Sequence, residues 1–333
     1  MNSKQLQYFL ATVENGSITA AARAIDVAQP AISLQLANLE HELKLKLFER
    51  DFRGVHLTDA GKKFEYHANI ILTQINQAKA DLVGNEHECS GKVVVGLSQS
   101  ICNVLSVDLL TELEHRFANI EIDFRIGPSN VINNCFAENE LDIILGYELD
   151  EQLENAADTL ALIRENLYLY ISQKPQNPAY YELTLYGSMP FVDLQHYETF
   201  APNKEDALYK LLNKQAKQAG IKLKTKSAFG QLMTTLHYVM QGVGLIVAPS
   251  SSAFHLEKQN LVRAIDIVDP PIQRDVYLSM AEDKKHNAAV KVVYELIREL
   301  TANVHDNKDW RGELLDQKYA HPSRNNIEAL VAS

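Results

Sequence analysis

Between Gln29 and Glu40 the chain reads Gln-Pro-Ala-Ile-Ser-Leu-Gln-Leu-Ala-Asn-Leu-Glu, a set of residue types suited to the edges of DNA bases. Pro30 fits the first turn of a helix, where its missing N–H would have had no partner anyway. Ile32, Leu36, Leu39 and Leu43 follow at steps of four, three and four, one buried stripe at the α period. Rotation of about 100° per residue puts Pro30, Ser33, Leu34, Ala37 and His41 on the outer side. Ordinary solvent-facing helices carry Lys and Glu there, whereas a surface lying flush in a major groove needs small side chains and short hydrogen-bonding groups. Gln29 and Ser33 can bond base edges, and Leu34 can pack on a thymine methyl. Catalytic chemistry has no comparable candidate. No Ser/His/Asp ordering, metal-spaced His cluster or phosphate loop occurs, and the eleven histidines are scattered singly. Gly242-Val243-Gly244 ends a predicted helix and enters a strand, the reverse of a dinucleotide loop. The chain reads as a non-enzyme that needs no cofactor and no metal.

Helices must hold that outer face in place, and the flanking sequence supplies them. Leu6, Phe9, Leu10 and Val13 recur at i, i+3, i+4 and i+7, and Asn15-Gly16 stops this helix. Ser17 can cap a second helix that buries Ile18, Ala21, Ala22 and Ile25, its alanines allowing close crossing. Asp26-Val27-Ala28 is a connection of helix-turn-helix length. Leu47–Arg50 and Asp51–Leu57 then read as a two-stranded wing with its turn at Arg53-Gly54, completing a winged helix-turn-helix.

Leu6-Gln7-Tyr8-Phe9, Gly16-Ser17-Ile18-Thr19-Ala20-Ala21-Ala22, Ala28-Gln29-Pro30-Ala31-Ile32-Ser33, Leu39-Glu40, Leu47-Phe48-Glu49-Arg50 and Leu57-Thr58-Asp59-Ala60-Gly61 stand in a particular order and spacing. By them residues 1–61 resemble the DNA-binding domain of LysR-type transcriptional regulators. Two positions depart from that family's usual pattern: Lys44 stands where a glycine commonly ends the reading helix, and Leu34 where a basic or polar residue is common. The DNA contact set expected from residues and resemblance together is Gln29, Pro30, Ser33, Leu34 and the wing-tip Arg53, with Ser17 and Thr19 near phosphates.

After Thr58, a helix without internal proline or further glycine beyond Gly61 runs to about Val83. Phe64, Ala68, Ile71, Ile75, Ala78 and Leu82 keep a 3.5-residue repeat, which points to a dimerisation seam of Phe64, Ile71, Ile75 and Leu82. The resemblance implies the same role, a link between the two halves of the chain, and a tetramer of two dimers. An interrupted palindrome of double-stranded DNA is the matching site. Gly84–Gly91 is a polar linker. Beyond it strand and helix alternate, the rhythm of a parallel α/β sheet: strands at Lys92–Leu97, Ile120–Ile126, Leu141–Gly146, Leu167–Ser172 and Lys222–Ser227, with helices between. The expected fold is α/β overall: a winged helix-turn-helix (1–61), a dimerisation helix and hinge (62–90), and a two-lobe, periplasmic-binding-protein-like effector domain (91–300). Lobe 1 takes about 91–163 and 268–300, lobe 2 about 164–267, with crossings near 162–168 and 264–270. The tail 301–333, holding the sole tryptophan, Trp310, gets no role from sequence; docking on the body and disorder both stay open.

In a two-lobe clamp a ligand sits beyond the carboxyl ends of the strands, where helix N-termini offer free N–H groups. The strand ends supply Ser98, Ser100, Ser129, Asn130 and Tyr147 in the first lobe and Phe200, Pro202 and Phe229 in the second. Capping alone would account for each Ser or Asn taken singly. Their coincidence at one sheet edge favours an anionic or polar small molecule, such as a carboxylate, and the resemblance places effector positions in the same loops.

The net charge of −11 divides unevenly. Residues 1–63 hold eight Lys/Arg against seven Asp/Glu, so a head of +1 joins a body of −12, an asymmetry that suits docking of the head on phosphates. No apolar run reaches membrane-spanning length and the N-terminus has no secretory apolar region, so a cytoplasmic protein without a membrane partner is expected. Cys89, Cys102 and Cys135 are odd in number and lack metal spacing. Two alternatives remain beside the effector-controlled regulator: a thiol redox sensor using Cys102 and Cys135, and a solute-binding module with no regulatory output.

Overall fold

The computed structural model describes residues 1–51, 54–83, 89–147, 157–228 and 231–316. They fall into two compact units, Met1–Asn85 and Glu86–Ser333. In the first, α1 (Ser3–Asn15) opens with a capping box between Asn2 and Gln5 and closes at Gly16, whose φ of 62° is the left-handed conformation glycine adopts at little cost. Ser17 caps α2 (Ile18–Ala24) by accepting from the Ala20 N–H at 3.0 Å. The helix ends at Ala24, so Ile25 is rotated off the apolar stripe and lies exposed, contrary to the burial its spacing suggests. The third helix, α3 (Gln29–Leu43), buries Ile32, Leu36 and Leu39, each contributing roughly 1.5–3 kcal/mol. It terminates at Lys44 with φ 54°, a left-handed position occupied by a residue that has a Cβ to accommodate.

The wing pairs β1 (Phe48–Asp51) antiparallel with β2 (Gly54–Leu57). Gly54 faces Asp51 and is strand, so it is not part of the turn expected at Arg53-Gly54; Arg53 itself lies outside the described residues. Thr58 caps α4 (Asp59–Val83) through the Gly61 N–H and ties it back to the Lys46 carbonyl. The N-terminal part of the expected seam packs within its own unit: Phe64 meets Phe9 edge-on at 4.9 Å, Ala68 is fully buried, and Ile71 joins the same cluster. Ile75 is half-buried outside that cluster, and the side chain of Leu82 lies outside the described residues.

The second unit is built on two sheets that share one long strand. Its elements in order are β3 (Gly91–Leu97), α5 (Gln99–Arg116), β4 (Ile120–Ile126), α6 (Ser129–Ala137), β5 (Ile143–Gly146), β6 (Ala157–Ser172), β7 (Ser188–Pro190), β8 (Glu198–Ala201), α7 (Ala207–Gln218), β9 (Lys224–Ser227), α8 (Leu232–Met240), β10 (Leu245–Pro249), α9 (Ser250–Lys258), β11 (Val262–Val268), β12 (Gln273–Ala281), α10 (Ala288–Asp306) and β13 (Gly312–Leu314). Lobe 1 orders its strands β4-β3-β5-β12-β6-β13, and lobe 2 orders them β7-β11-β6-β10-β8-β9. The β3–β4, β3–β5, β10–β8 and β8–β9 pairs are parallel, as the alternating pattern predicts. The strands that carry the chain between lobes are antiparallel to their neighbours, so each sheet is mixed. The first half of β6 pairs with β12 as far as Asn166, and the second half with β11 and β10 from Leu167 onward. The return crossing runs between Val268 and Gln273, where the Leu167 N–H donates to the Ile272 carbonyl. Among the described residues no helix is long and apolar enough to cross a membrane.

Candidate nucleic-acid interface and effector cleft

The outer face of α3 presents Gln29, Pro30, Leu34, Ala37 and His41 to solvent, with Ser33 half-exposed. Leu34 is 60% exposed, far more than a core leucine, so burial within its own unit does not explain it. Gln29 Nε2 donates to Ser33 Oγ at 2.9 Å, one turn further along. Among the described residues the Gln29 carbonyl, its second N–H and the Ser33 hydroxyl proton meet no other side chain, so they can turn to a base edge, and the bond holds both side chains in one geometry. At α2, Ser17 spends its acceptor on the Ala20 N–H while Thr19 stands exposed in the first turn.

Glu40 fixes this helix to the wing, a role the sequence did not disclose. Its Oε1 accepts from the Leu47 and Phe48 N–H groups at 2.9 and 3.2 Å, and its Oε2 from Lys46 Nζ at 2.7 Å. Burial alone would raise its pKa; the Lys46 bond and the two backbone donors outweigh burial and hold it below the ordinary value. Glu40→Gln is therefore expected to cost the N-terminal unit about 1 kcal/mol at neutral pH. Because the folded pKa is depressed, the carboxylate's contribution is complete above the unfolded value of about 4.3 and is lost as pH falls through the folded one. Thermal melts of the two proteins should accordingly differ at pH 7 and converge in acid; curves equally far apart at both would refute the role.

In the second unit the structure gathers Ser98, Ser100 and Tyr147. The Tyr147 hydroxyl lies 2.8 Å from Ser98 Oγ and 2.6 Å from Ser100 Oγ, and Ser98 caps α5. Burial pushes Tyr147 up to about 12, so it stays protonated at neutral pH. The Arg274 guanidinium lies over its ring, 3.4 Å from the centroid. Arg274 Nε donates to Glu165 Oε1 at 2.6 Å, while Nη1 and Nη2 have no acceptor among the described residues. Burial works against the Arg274 charge, but Tyr147, Glu165 and, from lobe 2, Asp206 outweigh it and keep the pKa above the usual guanidinium value. Glu165 is fully buried, and its other oxygen accepts from Trp310 Nε1 at 2.6 Å and from Ser251 Oγ at 3.4 Å.

Two further residues join the lobes beside this cluster: Gln99 Oε1 accepts from the Leu232 N–H at 3.0 Å, and Asn103 Nδ2 donates to the Ser251 and Ser252 carbonyls. Neither was among the site candidates, nor were Glu165 and Arg274. The end of β3 was the available signal for Gln99, which lies between Ser98 and Ser100, and a polar residue on the cleft side of α5 for Asn103; no local pattern marks Glu165 and Arg274.

The remaining candidates are placed elsewhere. Ser129 and Asn130 open α6, which has no side-chain cap. Phe200 is 5% exposed in the lobe-2 core near Tyr238, so it is packing rather than cleft wall. Pro202 is half-buried and Phe229 lies outside the described residues. A hollow of about 430 Å³ between α5 and α10 is lined by Asp108, Glu112 and Asp306, a field that repels an anion. Cys102 and Cys135 are free and half-buried. Burial raises both thiols, joined at Cys135 by Glu140, so neither favours the reactive thiolate.

Residues 3–62 match the family described as bacterial regulatory helix-turn-helix protein, lysR family, and residues 86–302 match the LysR substrate binding domain. The chain belongs to the LysR family of transcriptional regulators. Among its relatives, the nitrogen assimilation regulatory protein nac of Escherichia coli (strain K12) is 26% identical over 318 residues, 93% of this chain and 99% of that protein. A probable RuBisCO transcriptional regulator of Cyanidioschyzon merolae is 26% identical over 278 residues, covering 82% and 89%. The fold matches a full-length OxyR from Pseudomonas aeruginosa with a TM-score of 0.66 at 21% identity, over 90% of this chain and 98% of that one. Full-length CbnR in complex with its target DNA matches with a TM-score of 0.60 at 18% identity, over 90% and 100%. This LysR-family chain is thus a regulator of transcription, with a helix-turn-helix for DNA and a two-lobe domain for a small molecule, and not an enzyme.

Proposed function

We propose that this regulator reads its DNA site through Gln29, Ser33 and Leu34, with Pro30 fitting the helix start into the groove and Ser17, Thr19 and Arg53 on phosphates. The Gln29–Ser33 bond on an uncharged, exposed helix face is the observation that carries this reading. It acts as a dimer through the C-terminal part of α4, and as a tetramer, on an interrupted palindrome in the cytoplasm. Its effector is a small carboxylate. Arg274 offers two donors, Nη1 and Nη2, that meet no acceptor among the described residues, in the fork geometry that matches a carboxylate, next to the Ser98, Ser100 and Tyr147 hydroxyls. The boundaries follow the same division of labour: DNA reading in 1–61, dimerisation in 62–90, effector binding from 91 to about 300, between lobes that meet near 163–167 and 268–272.

Gln29→Ala combined with Ser33→Ala should cost about 1–3 kcal/mol for each base-edge hydrogen bond removed, read from binding isotherms on the cognate site at fixed salt. Affinity for unrelated DNA should hardly move, because phosphate contacts supply it. Unchanged affinity for the cognate site would mean that another surface reads the bases.

A further inference from the structure

The family match ends at residue 302, and the chain continues. Residues 309–316 touch both lobes. Toward lobe 1, β13 pairs with β6 in the register Gly312↔Glu165, Glu313↔Arg164 and Leu314↔Ile163. A Cβ at Gly312 would fall 2.2 Å from the Arg164 carbonyl oxygen, so glycine permits that close approach. The Leu315 N–H donates to the Leu162 carbonyl, and Asp316 takes two bonds from Arg298 at 2.6 and 2.9 Å. Toward lobe 2, Asp309 pairs with Lys258 of α9 at 2.6 Å and the Arg311 N–H donates to Ser250 Oγ at 2.7 Å. The Arg311 guanidinium covers the Tyr168 ring at 4.1 Å and donates to Glu257 at 2.7 Å and to the Tyr170 hydroxyl at 3.1 Å. Between these two sets of ties, the fully buried Trp310 hydrogen-bonds Glu165 at the end of the lobe-1 half of β6.

We propose that residues 309–316 are a strap across the hinge, a third tie beside the two crossing segments, that holds the lobes in the arrangement in which Gln99 reaches Leu232. Two crossing segments leave a hinge free to bend about the line that joins them. A tie anchored on α9 in lobe 2 and on β6 and α10 in lobe 1 opposes that bending. The strap meets the cleft through Trp310, Glu165 and Arg274, so whatever repositions Arg274 works against the strap, and loosening the strap frees Arg274, by the reciprocity of coupled equilibria. The restraint belongs to the chain itself and exists whether or not a carboxylate is the effector.

Hydrogen exchange on the full-length protein without added ligand tests this, because the Leu232 amide bonds across the lobes and reports their contact. In the double variant Asp309→Asn, Arg311→Gln, the peptide carrying Leu232 should exchange about ten-fold faster, the restraint of one charge-assisted hydrogen bond. Amides within β3 and β10, one strand from each lobe, should keep their wild-type rates. Arg311→Lys, which keeps the charge but cannot hold Tyr170 and Glu257 together, should give a smaller acceleration at the same place. Leu232 exchange unchanged in both variants would overturn the proposal. Equal acceleration in β3 and β10 would also overturn it, by making the segment a support of the whole fold rather than of the hinge.

Discussion

Arg274→Ala should destabilise the second unit by about 3–5 kcal/mol, since it strands the Glu165 carboxylate, fully buried, without its cation. The Arg274 side chain is itself only 10% exposed, so water can replace little of what is removed. The remaining partners of Glu165, Trp310 and Ser251, are neutral donors and cannot balance a full charge. Removing the charge as well should return most of the stability, so Arg274→Met with Glu165→Gln is expected to lie much nearer the wild type than Arg274→Ala alone. Urea titration followed by the emission of Trp310, the sole tryptophan, reads this unit without interference from the first. A single variant that melts with the wild type would show that the pair is not balanced as described.

The second large effect is on assembly. Ile71 packs within its own unit, so charge there would unfold the DNA-binding domain rather than test the seam. Ile75 lies one turn further along α4, half-buried and outside that core. Ile75→Asp is therefore expected to shift the sedimenting species from dimer or larger to monomer, with the N-terminal unit still folded by circular dichroism. Separation into monomers should reduce affinity for a palindromic site steeply, because both half-sites then bind independently. An unaltered sedimentation profile would move the dimer contact off α4.

The parts legible in the sequence are those set by local chemistry. Gly16 and Ser17 announce one helix end and the next helix start, and the structure has the left-handed turn and the cap there. Ile120–Ile126 is a strand from the first residue to the last of the expected span. Where two rules compete, the pattern misleads. Ile25 keeps the spacing of a buried residue, but the helix has stopped beneath it. Arg164-Glu165-Asn166 has the polarity of a boundary between elements, yet it lies inside the sixteen-residue β6 because its charges find partners far along the chain. The central cluster of the cleft illustrates the same limit. Glu165, Arg274 and Trp310 come from three distant stretches, each unremarkable in its own surroundings, and only the return of the chain through β12 and β13 brings them within hydrogen-bond reach. The meeting of Ser98, Ser100 and Tyr147 was legible in advance because strand ends in an α/β sheet converge by topology. Phe200 follows the same rule and fails it, since its side chain turns under α8 into the core.

A nuclease footprint of the full-length protein on the DNA upstream of its own reading frame, run alone and with a panel of small mono- and dicarboxylates, tests effector-controlled DNA reading most directly. Protection over an interrupted palindrome is expected, with at least one carboxylate changing its extent or the concentration needed to reach it, and amines of similar size changing neither. Protection without two-fold symmetry, or a footprint indifferent to every carboxylate while an uncharged or cationic compound alters it, would contradict carboxylate-controlled reading of a symmetric site.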